Sequence, residues 1–97
     1  MNPLVELQNW YTSHCNENWE HSYGIKIETL DNPGWSLTVD LVGTNLEGQQ
    51  FAELKRENSD NDWHFCWVKE NQFHGAGDAH KLECLIYVFL DWATSQH

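Results

Sequence analysis

Positive charge is what this 97-residue chain has least of. Five Lys and Arg stand against fifteen Asp and Glu, a formal net charge of −10. Binding nucleic acid through its phosphates needs a basic footprint, so that ligand class is excluded, and anionic membrane surfaces go with it. Long apolar runs are missing too. The richest, Leu85-Ile86-Tyr87-Val88-Phe89-Leu90, is far too short to cross a bilayer. The opening Met1-Asn2-Pro3-Leu4-Val5-Glu6 has neither the basic segment nor the apolar stretch of an export signal. Cys15, Cys66 and Cys84 are an odd number with no close pair, and reduced thiols in the cytoplasm are the expectation. Repeats, low-complexity tracts and linkers are absent, so residues 1–97 read as a single domain.

Aromatic side chains are plentiful: six Trp, three Tyr and four Phe supply a core for a domain this small. Hydrophobic residues at 40% and charged residues at 21% mark the chain as globular rather than disordered. Asn2 and Pro3 suit a helix start, and Leu4, Leu7, Tyr11 and Cys15 recur at helical spacing up to about Asn16. Tyr23, Ile25, Ile27 and Thr29 then alternate with Gly24, Lys26 and Glu28. Beyond Asn32-Pro33-Gly34, Trp35, Leu37, Val39 and Leu41 alternate with Ser36, Thr38 and Asp40. This is a β-hairpin with one buried face, and the turn residues suit a type II turn with Gly34 at positive φ.

Further along, Gly43–Gly48 reads as a loop, Phe51–Glu57 as a third strand, Asn58–Asn61 as a turn and Asp62–Lys69 as a fourth strand. Asn71–Gly77 reads as a loop with two glycines. Asp78 suits the N-cap of a last helix burying Leu82, Leu85, Ile86, Phe89 and Ala93. The expected fold is α+β: a four-stranded antiparallel meander with N- and C-terminal helices on one face, in the order α-β-β-β-β-α. The fourth strand resists this scheme, because Trp63, Phe65 and Trp67 occupy one side and His64, Cys66 and Val68 the other. Either it lies under extra cover, or one apolar set is exposed as a partner-binding surface.

Chemistry-bearing clusters are sparse. Glu20 and His21 are a carboxylate beside an imidazole, yet adjacent residues point apart and no nucleophile motif or phosphate cradle accompanies them. They suit loop hydrogen bonds, or a binding patch with Trp19 and Tyr23 as rigid anchors. His80 and Cys84 are four apart on the last helix, and His14-Cys15 and His64-Cys66 invite comparison. Without Cys-x-x-Cys or His-Glu-x-x-His, no metal or other cofactor is expected.

Trp19-Glu20-His21-Ser22-Tyr23-Gly24, the Ile25–Trp35 hairpin, Asp62-Trp63 and Gly75-Ala76-Gly77-Asp78 together resemble the immunity protein 53 family, from the first helix to Trp92. The resemblance implies a bacterial cytoplasmic antidote that binds a polymorphic toxin, catalyses nothing and has an α+β fold. The acidic balance fits a toxin with a basic surface, such as a nuclease. Trp19, Glu20, His21, Glu57, Asp62 and Trp63 are the expected contact residues, and the high charge favours a monomer or small homo-oligomer. A small ligand-binding domain or enzyme built on the Trp19–Tyr23 loop is the alternative, and a plain scaffold subunit a third.

Overall fold

Asn2 and Pro3 start the first helix. In the computed structural model, which describes residues 2–95, the Asn2 side-chain oxygen accepts the amides of Leu4 and Val5 at 3.0 and 3.3 Å. Helix α1 (Pro3–His14) therefore begins with donors satisfied that a helix cannot pair by itself. The stripe it buries is rotated from the expected one. Leu7 is buried and Trp10 meets Phe89 edge-on at 4.9 Å, whereas Leu4 is 53% exposed. A single helical turn, α2 (Trp19–Ser22), follows.

Strands β1 (Ile25–Leu30) and β2 (Gly34–Asp40) form the hairpin, with Ile25 opposite Val39 and Leu30 opposite Gly34. The type II turn is not found. Gly34 lacks positive φ and is already the first residue of β2. Its missing Cβ matters for another reason: one built there would strike the Gly77 carbonyl oxygen.

The sheet has five strands rather than four. After β3 (Leu54–Ser59) and β4 (Asp62–Lys69) comes β5 (Gln72–Asp78), in the stretch that reads as a loop. The order is β1-β2-β5-β4-β3, antiparallel throughout, so the last strand in sequence is the central one and a simple meander is excluded. Gly75 lies beneath the last helix, α3 (Leu82–Ser95), and Gly77 beneath Lys81, just before it. A Cβ on Gly75 would come within 3.2 Å of Leu85, and one on Gly77 within 2.7 Å of the Lys81 Cβ. Glycine weakens a strand by propensity but lets another element approach closely, and here approach wins. The connection between β4 and β5 is Glu70-Asn71, with φ of 54° and 59°. Positive φ at both positions of a two-residue loop is what a type I′ hairpin requires. Asp78 ends β5 instead of capping α3, which starts at Leu82.

The core lies on one side of the sheet. From α3 come Leu85, Ile86, Phe89, Leu90, Trp92 and Ala93, set against Leu37, Val39 and Phe73. The β2–β3 connection adds Leu41 and Leu46, both fully buried, and Phe51, whose ring meets Phe73 and Trp92 edge-on. The Trp92 indole N–H donates to the Gln50 carbonyl at 2.9 Å and ties that segment to α3. Burial of each such large side chain contributes about 1.5–3 kcal/mol. On the opposite side, Ser36, Thr38, Trp63, Phe65, Trp67, His74 and Ala76 are half-buried, on the face turned away from α3. Among the described residues no helix is long and apolar enough to cross a membrane.

Candidate functional site

Pairing register fixes what this face displays. Directly opposed residues of an antiparallel pair share a face. Glu57 of β3 lies opposite Trp63, Lys55 opposite Phe65, and His74 of β5 opposite Trp67. The result is an aromatic strip along β4. Trp63 and Phe65 have ring centroids 5.4 Å apart. Trp67 stacks on His74 at 5.3 Å with 17° between planes, and the Lys55 ammonium sits 5.6 Å from the Phe65 ring centre. Trp63, Phe65 and Trp67 take the side away from the helices and are half-buried there, while His64, Cys66 and Val68 turn towards the core side.

The strip ends in acid. A shallow depression of about 290 Å³ is lined by Asn32, Glu57, Ser59, Asp60, Trp63 and Phe65. Beneath it Asp78, only 3% exposed, organises the end of the sheet. Its carboxylate accepts the Trp63 amide at 2.9 Å, the His80 amide at 2.8 Å and the Lys81 ammonium at 2.8 Å. Lys81 also reaches Asp62 at 2.7 Å. Burial alone would raise the Asp78 pKa, but Lys81 and the two amides outweigh it and hold the carboxyl at about 2. Asp62 is likewise lowered, first by its hydrogen bond from Lys81 and then by Asn58. Lys81 is spent on this pair, so Glu57 and Asp60 beside Trp63 remain as the acids facing outward.

The six residues singled out from sequence fall into two groups. Glu57, Asp62 and Trp63 come together at the β3–β4 end. Trp19, Glu20 and His21 sit on α2, which leads into β1, the opposite edge strand of the sheet, roughly 19 Å from β3 at four strand spacings. Trp19 is not a surface anchor. It is 6% exposed, its indole N–H donates to the Val42 carbonyl at 2.8 Å, and Trp10, Tyr11, His14 and Tyr23 surround it. Glu20 is occupied as well. Its own amide, and the amides of Asn16 and Glu17 at 2.9 and 2.8 Å, hold its carboxyl below the usual carboxylate range. A group so bonded stays ionised and serves the loop rather than proton transfer. His21 is exposed on the same turn.

Phe65, Trp67 and His74 were not among the residues singled out. The alternation of β4 carried the signal for the first two, but nothing marked His74, which lies in the stretch that reads as a loop. Burial lowers the His74 pKa, which favours a neutral ring in the stack on Trp67. On the core side, Cys84 Sγ lies 3.7 Å from His64 Nε2. Burial pushes the Cys66 thiol up to about 12, raises that of Cys84 and lowers His64, so these groups are neutral at pH 7 and suit packing rather than nucleophilic attack. Among the described residues no three His, Cys, Asp or Glu gather as a metal site would need.

The model of the family described as immunity protein 53 matches residues 4–94. No curated protein and no solved structure matches the chain.

Proposed function

This chain belongs to the immunity protein 53 family, and on that footing we propose that it neutralises a cognate bacterial toxin by occluding the toxin's functional site, in the cytoplasm and as one domain. The docking surface is the helix-free face of the sheet, centred on Trp63, Phe65 and Trp67. The observation that supports this most is the placement of three large rings on a side of the sheet where the fold does not need them. Aromatic side chains with few rotatable bonds are the usual anchors of protein interfaces, and their partial burial at rest lowers the cost of fixing them. Glu57 and Asp60 at the end of the strip would meet basic groups of the toxin, chiefly raising the association rate and selecting the partner. His21 and Glu20 lie outside this surface. The chemistry is recognition alone, with no bond made or broken by this chain.

Rescue of cells expressing a toxin domain that the wild-type chain neutralises tests the reading. Trp63→Ala and Trp67→Ala should each lose protection while far-UV circular dichroism shows the fold retained, with a lowered but still cooperative melt because both rings are half-buried, and Glu20→Lys should protect normally. Full protection by both tryptophan variants would refute the assignment of the face.

A further inference from the structure

The two edges of the sheet are built differently. β3 carries Lys55, Arg56 and Glu57 in succession and breaks register between Glu57 and Ser59. Charges and a bulge are how natural sheets discourage a further strand from pairing. β1 has no bulge, and its only charges are one of each sign, Lys26 and Glu28, at alternate positions on one face. It pairs with β2 in unbroken register over six residues, and Ile27 is 38% exposed beside it. The Asp40 amide donates to the Gly24 carbonyl at 3.0 Å, which sets the alternation along the strand. Gly24, Lys26 and Glu28 direct their backbone groups to β2, and Ile25, Ile27 and Thr29 direct theirs outward.

We infer that β1 is a self-association edge, pairing antiparallel with β1 of a second copy about a two-fold axis at Ile27. Charge selects this register. With Ile27 facing its own symmetry mate, the outward amides and carbonyls of Ile25, Ile27 and Thr29 meet those of Thr29, Ile27 and Ile25 of the other copy. Lys26 then lies opposite Glu28 and Glu28 opposite Lys26, in the wider-bonded positions where side chains approach most closely. An axis at Lys26 or at Glu28 would set like charges face to face. On the core side the same register covers the exposed Ile27 with its twin. Lys26 and Glu28 are 70% and 57% exposed and meet within one chain only at 3.7 Å, so they are free to exchange partners. The dimer extends the sheet to ten strands, five from each copy, and leaves the aromatic strip uncovered. The inference therefore stands apart from toxin binding.

Sedimentation of the purified chain over a concentration series reaching the millimolar range tests it. Salt near 0.15 M, where the Debye length is about 8 Å, screens the general repulsion between two acidic chains but not facing pairs. The wild type should dimerise. Lys26→Glu, which sets two like-charge pairs at the seam, should weaken the dimer on the order of tenfold or more. Combining it with Glu28→Lys restores unlike pairs at unchanged net charge and should restore the dimer. Circular dichroism should be the same for all three, because both side chains are exposed. A wild type that stays monomeric throughout, including one whose β1 edge pairs only with another protein, overturns the inference. So does a dimer indifferent to Lys26→Glu, or one the double variant fails to restore.

Discussion

Replacing Asp78 by Ala removes a carboxylate that is 3% exposed and accepts three hydrogen bonds, all between 2.8 and 2.9 Å. Bonds to a charged acceptor each contribute about 1.5–3 kcal/mol, and they do not add in full. The His80 amide lies on an exposed turn and recovers water, and Lys81 keeps Asp62. What remains is the stranded Trp63 amide at the start of β4 and the lost ion pair, together about 3 kcal/mol, in the range for breaking one side of a buried pair. For a domain of this length each kcal/mol moves the melting midpoint by roughly 4–8 °C, so a fall of roughly 12–24 °C is expected. Asp62→Ala is the control. That side chain is half-exposed and should cost little, because water replaces Lys81 there. Urea titration at constant m-value would measure both. Equal losses for the two variants would refute the view that burial, not the ion pair as such, sets the cost. The pH dependence follows in sign. Asp78 is held at about 2 when folded, below the value of about 3.9 expected when unfolded. Its contribution is therefore complete above pH ~4 and drains away as pH falls from there through 2, and Asp78→Asn should flatten that part of the profile.

Five further outcomes are expected. Gly77→Ala should cost about 1–3 kcal/mol in thermal or urea melts, since its Cβ would sit 2.7 Å from that of Lys81; Gly24→Ala, with nothing within 4 Å, should instead gain about 0.5 kcal/mol. Glu70→Gly should raise stability by about 0.5–1 kcal/mol, because a side chain at φ 54° carries a left-handed penalty that glycine escapes. Cys66 is fully buried with its thiol near 12, so iodoacetamide at pH 8 should leave it unmodified in the native protein and label it in urea, as mass spectrometry would show. Association with the toxin should slow as salt rises, and more steeply for the wild type than for Glu57→Lys, when followed by stopped flow.

Elements with periodicity and punctuation were legible in the sequence. Asn2-Pro3, the two alternating runs around Asn32-Pro33-Gly34, and the apolar stripe of α3 all gave their positions before any coordinates. β5 did not. Phe73-His74-Gly75-Ala76-Gly77 has one strand-forming ring and two glycines, and its entry turn, Glu70-Asn71, takes positive φ without the glycine that usually announces it. Both features make sense only in three dimensions, where α3 needs room and β4 must double back. The proposed binding face was half legible for a similar reason. Alternation sorted Trp63, Phe65 and Trp67 from His64, Cys66 and Val68, but which set turns outward depends on where the helices lie. Trp19 looked like an anchor because its neighbours are polar, and only the packing of Trp10 and Tyr11 upon it reveals a core residue.

Since β5 bridges β2 and β4, the two hairpins have nothing to join them until Gln72–Asp78 is in place. A chain still being synthesised holds two separate ribbons, each marginal in water by itself. Leu37 pairs with Gly75, and Cys66 with the same residue, so the full sheet can close only once the last quarter of the chain is made. Truncation anywhere before that keystone would leave no partial sheet spanning both hairpins.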